Sequence, residues 1–266
     1  MEKAFEVAEN LEHNLKPSLP ISWGAATHVG KVRETNEDTF LVEPQLALFV
    51  VSDGMGGHRG GELASKIVIE DLPVMIETGL DKLKVGCSKA VKSLLSRSIA
   101  EQNRQLWLEG TSESGFKDMG ATLVAMLLRN KRCFVANLGD SRAYLLRKGR
   151  LSQLTRDHSV VSDLIMEGLI GPEEAKDHEA RGQITSYIGM EEEPCPFVRS
   201  FLLKKNDRLL LCSDGLTDMV DNDNIAEILK KEPDSEAACK ELVKAANSAG
   251  GHDNITVVLV KWNGLS

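Results

Sequence analysis

An α+β domain, with helices on the outer faces of stacked antiparallel sheets, is what this sequence predicts. Three observations carry that expectation. First, short apolar runs alternate with turn signals: 123–128, then Lys131-Arg132, then 133–138; and again 144–146, Lys148-Gly149-Arg150, 151–154. That spacing belongs to antiparallel hairpins and not to a βαβ chain. Second, helical periodicity is confined to the stretch after the first strands and the stretch before the last one. Third, no internal repeat or linker divides the 266 residues. A single domain over 21–263, preceded by an extension of residues 1–20, follows.

Composition narrows the function classes. Hydrophobic residues make up 42%, enough for a sizeable core, yet no run approaches the length that spans a bilayer. Residues 1–16 are acidic and amphipathic, without the apolar stretch of a secretory signal. The five cysteines, at 87, 133, 195, 212 and 239, form no CxxC pair, as expected of a reduced, cytoplasmic protein. A net charge of −8 and the lack of a basic face argue against nucleic acid as a partner. Part of that acidity could be a carboxylate cluster that requires cations.

Taken in order, residues 1–20 can form a short helix around Phe5, Leu11 and Leu15, ended by Pro17 and Pro20. Strands are expected over 21–27, 39–42 and 46–51. The glycine-rich loop after Ser52-Asp53 leads into a helix over 61–72, which Pro73 ends or kinks. Val91, Leu95 and Ile99 mark a long helix over 84–107. After the hairpins, Thr155-Arg-Asp-His-Ser159 caps a short helix over 160–167, and a flap of weak periodicity extends to about 190. Strands over 197–203 and 208–212 follow. Asp221 or Asp223 caps a helix carrying Ile225, Ile228 and Leu229. A last helix around Cys239, Leu242, Val243 and Ala246 stops at Gly250-Gly251, before a closing strand over 255–260.

The chemistry concentrates where strands end. The apolar run 46–51 delivers Asp53-Gly54, and the run 209–212 delivers Asp214-Gly215. Glu37, Asp38, Asp118 and Asp253 occupy comparable positions. Taken singly, each aspartate could simply serve a turn or a cap. Taken together, they can converge only if cations neutralise them. Oxygen-only donors select Mg²⁺ or Mn²⁺ over Zn²⁺. Two such ions clamp a phosphoryl group, and the planar guanidinium of Arg33 suits its oxygens.

Seven segments, in this order, resemble the motifs of the PP2C-type (PPM) metal-dependent protein phosphatases, most nearly the compact bacterial members. They are Arg33-x-x-Asn-Glu-Asp38, Val51-Ser-Asp-Gly-Met-Gly-Gly57, Met119-Gly-Ala-Thr122, Leu138-Gly-Asp-Ser-Arg142, Leu154-Thr-x-Asp-His158, Leu211-Cys-Ser-Asp-Gly-Leu-Thr-Asp218 and Gly251-x-Asp-Asn-Ile255. The resemblance spans about 21–262. It implies an α-β-β-α sandwich with a dinuclear Mn²⁺ or Mg²⁺ site at one end of the sheets. Asp53 would bridge both ions, the Gly54 carbonyl and Glu37 would serve one, and Asp214 and Asp253 the other. Asp38 would orient water, Arg33 would bind phosphate, and Asp118 with Asp214 would build a third metal site. A bridging hydroxide would attack phosphoserine or phosphothreonine in line, with no phosphoenzyme. The implied partners are phosphorylated proteins made by a serine/threonine kinase, with no nucleic acid, no membrane and a monomeric state.

Two departures stand out. Many eukaryotic members carry Asp-Gly-His, where the histidine is a proposed general acid; here Met55 occupies that place and His58 lies three residues on. Bacterial relatives often read His-Pro-x-Arg-Asn-x-Ile-Thr-Arg in the flap, against His178-Glu-Ala-Arg181-Gly-Gln-Ile-Thr-Ser186 here. Asp140-Ser-Arg142 reads as a structural turn with an ion pair, Asp218 as the cap of the turn that follows it, and His158 as either a substrate neighbour or a satisfied structural histidine. Rival readings are a pseudophosphatase that binds without turnover, and a small-molecule phosphomonoesterase on the same site.

Overall fold

The computed structural model describes residues 19–56, 60–83, 87–112 and 119–264. The expected extension over 1–18 therefore lies outside the described residues, as do His58 and Asp118. Among the described residues eleven strands form two antiparallel sheets. In the first the order is β1 (Ile21–His28), β11 (Ile255–Trp262), β10 (Asp207–Cys212), β7 (Arg142–Arg147), β8 (Arg150–Gln153). In the second it is β2 (Asp38–Glu43), β3 (Leu48–Met55), β5 (Leu123–Arg129), β6 (Arg132–Leu138), β9 (Phe197–Leu202), with the two-residue β4 (Gly120–Ala121) paired to the end of β3. Helices α1 (Gly60–Lys82) and α2 (Ser88–Thr111) follow the first strands. Helices α4 (Asp214–Thr217), α5 (Asn222–Lys231) and α6 (Ser235–Ser248) precede the last strand, and α3 (Val160–Met166) opens the flap.

The period of two along each strand sorts its side chains between two cores. In β3, Phe49 and Val51 face Leu209, Leu211, Val258 and Val260 of the opposite sheet. Their neighbours Leu48 and Val50 turn outward, against Val68, Leu72, Leu95 and Ile99 of α1 and α2. On the other side Tyr144, Leu210, Val257 and Leu259 pack beneath Ile225, Leu229, Leu242 and Val243 of α5 and α6. Three apolar layers thus separate four structural ones, the α-β-β-α sandwich. Both faces of each central strand are buried, which explains why the strand sequences read as continuous apolar runs instead of alternating ones.

Several boundaries differ from the sequence expectation for physical reasons. Pro73 neither ends nor replaces the helix; it sits inside the 23-residue α1. A proline there costs roughly 3 kcal/mol, but Leu72 and Ile76 on either side are fully buried, and their packing offsets that cost. The β5–β6 hairpin pivots on Asn130 and Lys131, at φ 47° and 61°, so Arg132 belongs to β6 and not to the turn. Two successive left-handed residues match the right-handed twist of the flanking strands. Lys148-Gly149 makes the same turn, at φ 52° and 77°, and Arg150 opens β8. Asp221, not Asp223, caps α5, accepting from the Asn224 N–H at 2.7 Å. Ser159 caps α3 as expected.

The flap is not loose chain. Ile188 exchanges two backbone hydrogen bonds with Ala121, and Val160 N–H and Thr185 N–H bond Gln183 and His158 carbonyls. Asn103 of α2 holds the trailing end: its Oδ1 accepts from Gly189 and Met190 at 2.8 and 3.0 Å, and its Nδ2 donates to Met190 and Glu192 carbonyls. All its hydrogen-bonding capacity is used while the residue is buried. Asn103→Ala leaves two amides without acceptors and is expected to lower stability by about 2 kcal/mol in urea unfolding.

Candidate metal centre

Antiparallel pairing of β2 with β3 sets Asp38 directly across from Asp53. The strand does not stop at Asp53; Gly54 and Met55 continue it and pair with Ala121 and Gly120 of β4. The glycine-rich turn therefore begins only at Gly56, with φ 126°. Gly54 is required for close approach: a Cβ there would stand 2.0 Å from the Gly61 carbonyl oxygen. Gly61 is equally confined, since its Cβ would meet the Glu37 carboxylate. The opening glycines thus seat β3, Glu37 and the start of α1 against one another.

Neighbouring strands of the other sheet supply the remaining acids. β10 ends at Cys212, Ser213 follows, and Asp214 opens the single-turn α4. Asp253 lies just before β11, the partner of β10. Gly215 permits this juxtaposition, because a Cβ would lie 1.9 Å from the Asn254 carbonyl oxygen. Two sequence-distant Asp-Gly units therefore meet at one end of the sandwich, as expected from their position at strand ends.

A polar frame fixes these acids, and most of it escaped the sequence reading. Asn254 is its hub. Its Oδ1 accepts from the Glu37 N–H at 2.8 Å, and its Nδ2 donates to the Val29 and Thr35 carbonyls. Ser213 Oγ donates to Asp38 Oδ2 at 2.7 Å and accepts from Thr256 N–H. Thr122 Oγ1 accepts from the Asp53 N–H at 3.0 Å and shares a hydrogen bond with Ser141. These residues stand inside the quoted motifs, but nothing in their type distinguishes a frame residue from a turn residue.

The electrostatics are those of crowded anions. Burial, with Asp253 repulsion, pushes Asp38 up to about 6 in spite of the Ser213 hydrogen bond. Burial, and then repulsion from Asp38 and Asp214, raises Asp53 well above the ordinary carboxylate range. Asp214 is raised by burial and by Asp140 and Asp218. One oxygen each of Asp38, Asp140 and Asp214 is buried without a hydrogen-bond partner. Orphaned, desolvated and mutually repelling oxygens are the donor set that suits a hard divalent cation. Among the described residues no three of these side chains stand close enough to enclose an ion unaided. Arg33 lies at the rim, its side chain 57% exposed, and donates to Asp253 Oδ2 at 2.7 Å; that bond raises its pKa.

The structure gives the surroundings of three further motif residues. Among the described residues Asp140 makes no ion pair; Arg142 instead binds Asp157 with three hydrogen bonds of 2.6–3.1 Å. Asp140 stands buried beside the metal-centre acids, and burial together with Asp157 lifts it to about 6. Asp218 is the C-cap residue of α4, and its carboxylate meets Arg181 of the flap at 3.2 Å. His158 is structural: its Nδ1 lies 3.3 Å from the Gly139 N–H, and burial lowers its pKa.

Known proteins share this architecture. The family model described as Protein phosphatase 2C matches residues 27–259. A serine/threonine phosphatase stp of Listeria welshimeri is 37% identical over 242 residues, 89% of this chain and 94% of that one. Protein phosphatase PhpP of Streptococcus pneumoniae is 35% identical over 241 residues, covering 89% and 96%. Among solved structures, Stp1 of Staphylococcus aureus superposes with TM-score 0.83 at 33% identity, covering 97% of this chain and all of that one. The catalytic domain of PstP in complex with two manganese ions gives TM-score 0.76 at 33% identity, covering 91% and 97%. With its two sheets, its flanking helices and the acids gathered at one end, this chain belongs to the protein phosphatase 2C family.

Proposed function

We infer that this protein is a metal-dependent protein serine/threonine phosphatase. The observation that carries the reading is the gathering of buried, mutually repelling acids from β2, β3, α4 and the loop before β11, with an exposed arginine at their rim. When bound, two Mn²⁺ or Mg²⁺ ions supply an activated water at neutral pH and draw charge from the phosphoryl oxygens. Asp53 would hold both ions, Glu37 and the Gly54 carbonyl one, Asp214 and Asp253 the other; Asp118, with Asp214, would serve a third. Asp38, fixed by Ser213, accepts a hydrogen bond from the attacking water and orients it toward phosphorus. Arg33 leaves Asp253 to grip the phosphate oxygens, an exchange that its exposure permits.

Met55 offers no proton to the leaving oxygen, so the proton comes from solvent or from a neighbouring acid. The proposed substrates are phosphoproteins made by a serine/threonine kinase, acted on in the cytoplasm by a monomer. Among the described residues no helix is long and apolar enough to cross a membrane. The deciding experiment is hydrolysis of a phosphothreonine peptide with Mn²⁺ and with EDTA; turnover that survives EDTA would overturn the metal-dependent reading. Arg33→Ala is expected to raise KM for a small phosphoester about tenfold with a smaller change in kcat. An unchanged KM would remove Arg33 from the phosphate site.

A further inference from the structure

We propose that the flap, together with the Glu191–Glu193 segment that follows it (residues 160–193), docks a basic segment of the substrate, carrying lysine or arginine within a few residues of the phosphoserine or phosphothreonine. The proposal rests on the phosphatase reading and specifies which phosphoproteins fit it. Its starting point is the exposed end of a helix. No residue of α3 is buried, and Met166 and Leu169 expose 61% and 65% of their surface. Val160, Val161, Leu164 and Ile165 are half-buried against the body, whereas Met166 at the end of the helix and Leu169 just beyond it leave apolar surface facing solvent.

Charge says what covers it. Residues 160–193 hold nine carboxylates against two basic side chains, a balance of −7 in a chain whose net charge is −8. The rest of the molecule is thus close to neutral, metal-centre acids included. The two basic residues are already engaged, Lys176 with Glu173 at 2.6 Å and Arg181 with Asp218 at 3.2 Å. Glu167, Asp177, Glu179, Glu191, Glu192 and Glu193 are exposed. An exposed surface this acidic gains nothing from its own repulsion; it attracts cations and repels anions over roughly a Debye length.

The surface adjoins the metal centre. Arg181 ties the flap to Asp218, four residues beyond Asp214, and Ile188 bonds Ala121, which pairs with Gly54. A bound phosphoresidue therefore brings its flanking residues past the flap. Acidic flanks, or a nucleic acid, would meet like charge there; a lysine or arginine meets carboxylates and can lay its aliphatic stem on Met166 or Leu169.

The test compares three phosphothreonine peptides that differ only in arginine, serine or glutamate at the flanking positions, with para-nitrophenyl phosphate as a flank-free substrate. Wild type in Mn²⁺ is expected to favour the arginine peptide over the glutamate one about tenfold or more in kcat/KM at low salt. The preference should shrink to within about twofold in 1 M NaCl, where charges more than about 3 Å apart are screened. It should shrink likewise in E191Q/E192Q/E193Q and in E167Q/E179Q. In all variants para-nitrophenyl phosphate hydrolysis should stay within about twofold of wild type, showing an intact centre. Equal kcat/KM for the three peptides, or a preference unchanged in both variants, would overturn the docking surface while leaving the phosphatase reading intact. Failure of wild type to hydrolyse even para-nitrophenyl phosphate with Mn²⁺ would overturn the activity itself, and the docking proposal with it.

Discussion

Asp214→Asn will abolish Mn²⁺-dependent hydrolysis of a phosphothreonine peptide, lowering kcat/KM by about a thousandfold or more. In the ligand role proposed for Asp214, losing its charge forfeits several kcal/mol of transition-state stabilisation, and each 1.36 kcal/mol is a factor of ten. Misfolding is a poor alternative explanation, because in the metal-free protein this substitution relieves stress. Asp214 is raised by burial and by Asp140 and Asp218, and one of its oxygens has no hydrogen-bond partner. The neutral isostere should therefore melt at or above the wild-type temperature in EDTA. It should also gain less Tm than wild type on adding Mn²⁺, since a ligand stabilises only the fold that binds it. Peptide hydrolysis within tenfold of wild type would remove Asp214 from the centre.

In EDTA the protein will become more stable as pH falls from 7 toward 5. Asp38 is held at about 6 in the fold, against an ordinary value of 3.8. Between those values the folded state keeps a proton that the unfolded chain releases, so folding gains as pH drops through about 6 and the gain is complete below the unfolded value. The full gain is about 3 kcal/mol for this one acid, a little under half of it between pH 7 and 5. His158 acts in the opposite sense, since burial lowers its pKa and the unfolded chain takes up its proton first. Asp140, also lifted to about 6, and the raised Asp53 and Asp214 add to the gain, so Asp38→Asn should reduce it without abolishing it. With saturating Mn²⁺ the trend should reverse, as protons compete with the ions for the same oxygens. Urea midpoints at pH 5 and 7, with and without Mn²⁺, read both effects. A metal-free protein whose Asp38→Asn variant shows the same pH slope as wild type would refute this account.

Much of the site was legible because its acids sit where apolar runs stop. Asp53 and Asp214 each follow an apolar run that could only be buried, so the chain beyond each run had to meet something polar. The same logic failed inside the frame. Asn254, Ser213 and Thr122 are ordinary turn residues by type, and only their reach across 217, 175 and 69 positions makes them the scaffold of Glu37, Asp38 and Asp53. Asp140 was misread for a related reason. Its neighbour Arg142 promised a local ion pair, but the arginine reaches the next segment instead, and the acid is left facing the centre. Pro73 shows that a local helix breaker loses to burial on both of its sides.

By itself the sequence determined the class of fold, the order of nearly every element and the placing of Asp53 and Asp214 just beyond buried apolar runs, because hydrophobic period and glycine-aspartate punctuation are local properties. Only the tertiary structure decided which strands are neighbours, which hydrogen bonds hold each acid, and that the acidic flap stands beside the centre. Those depend on contacts between residues far apart in the chain, and no local pattern encodes them.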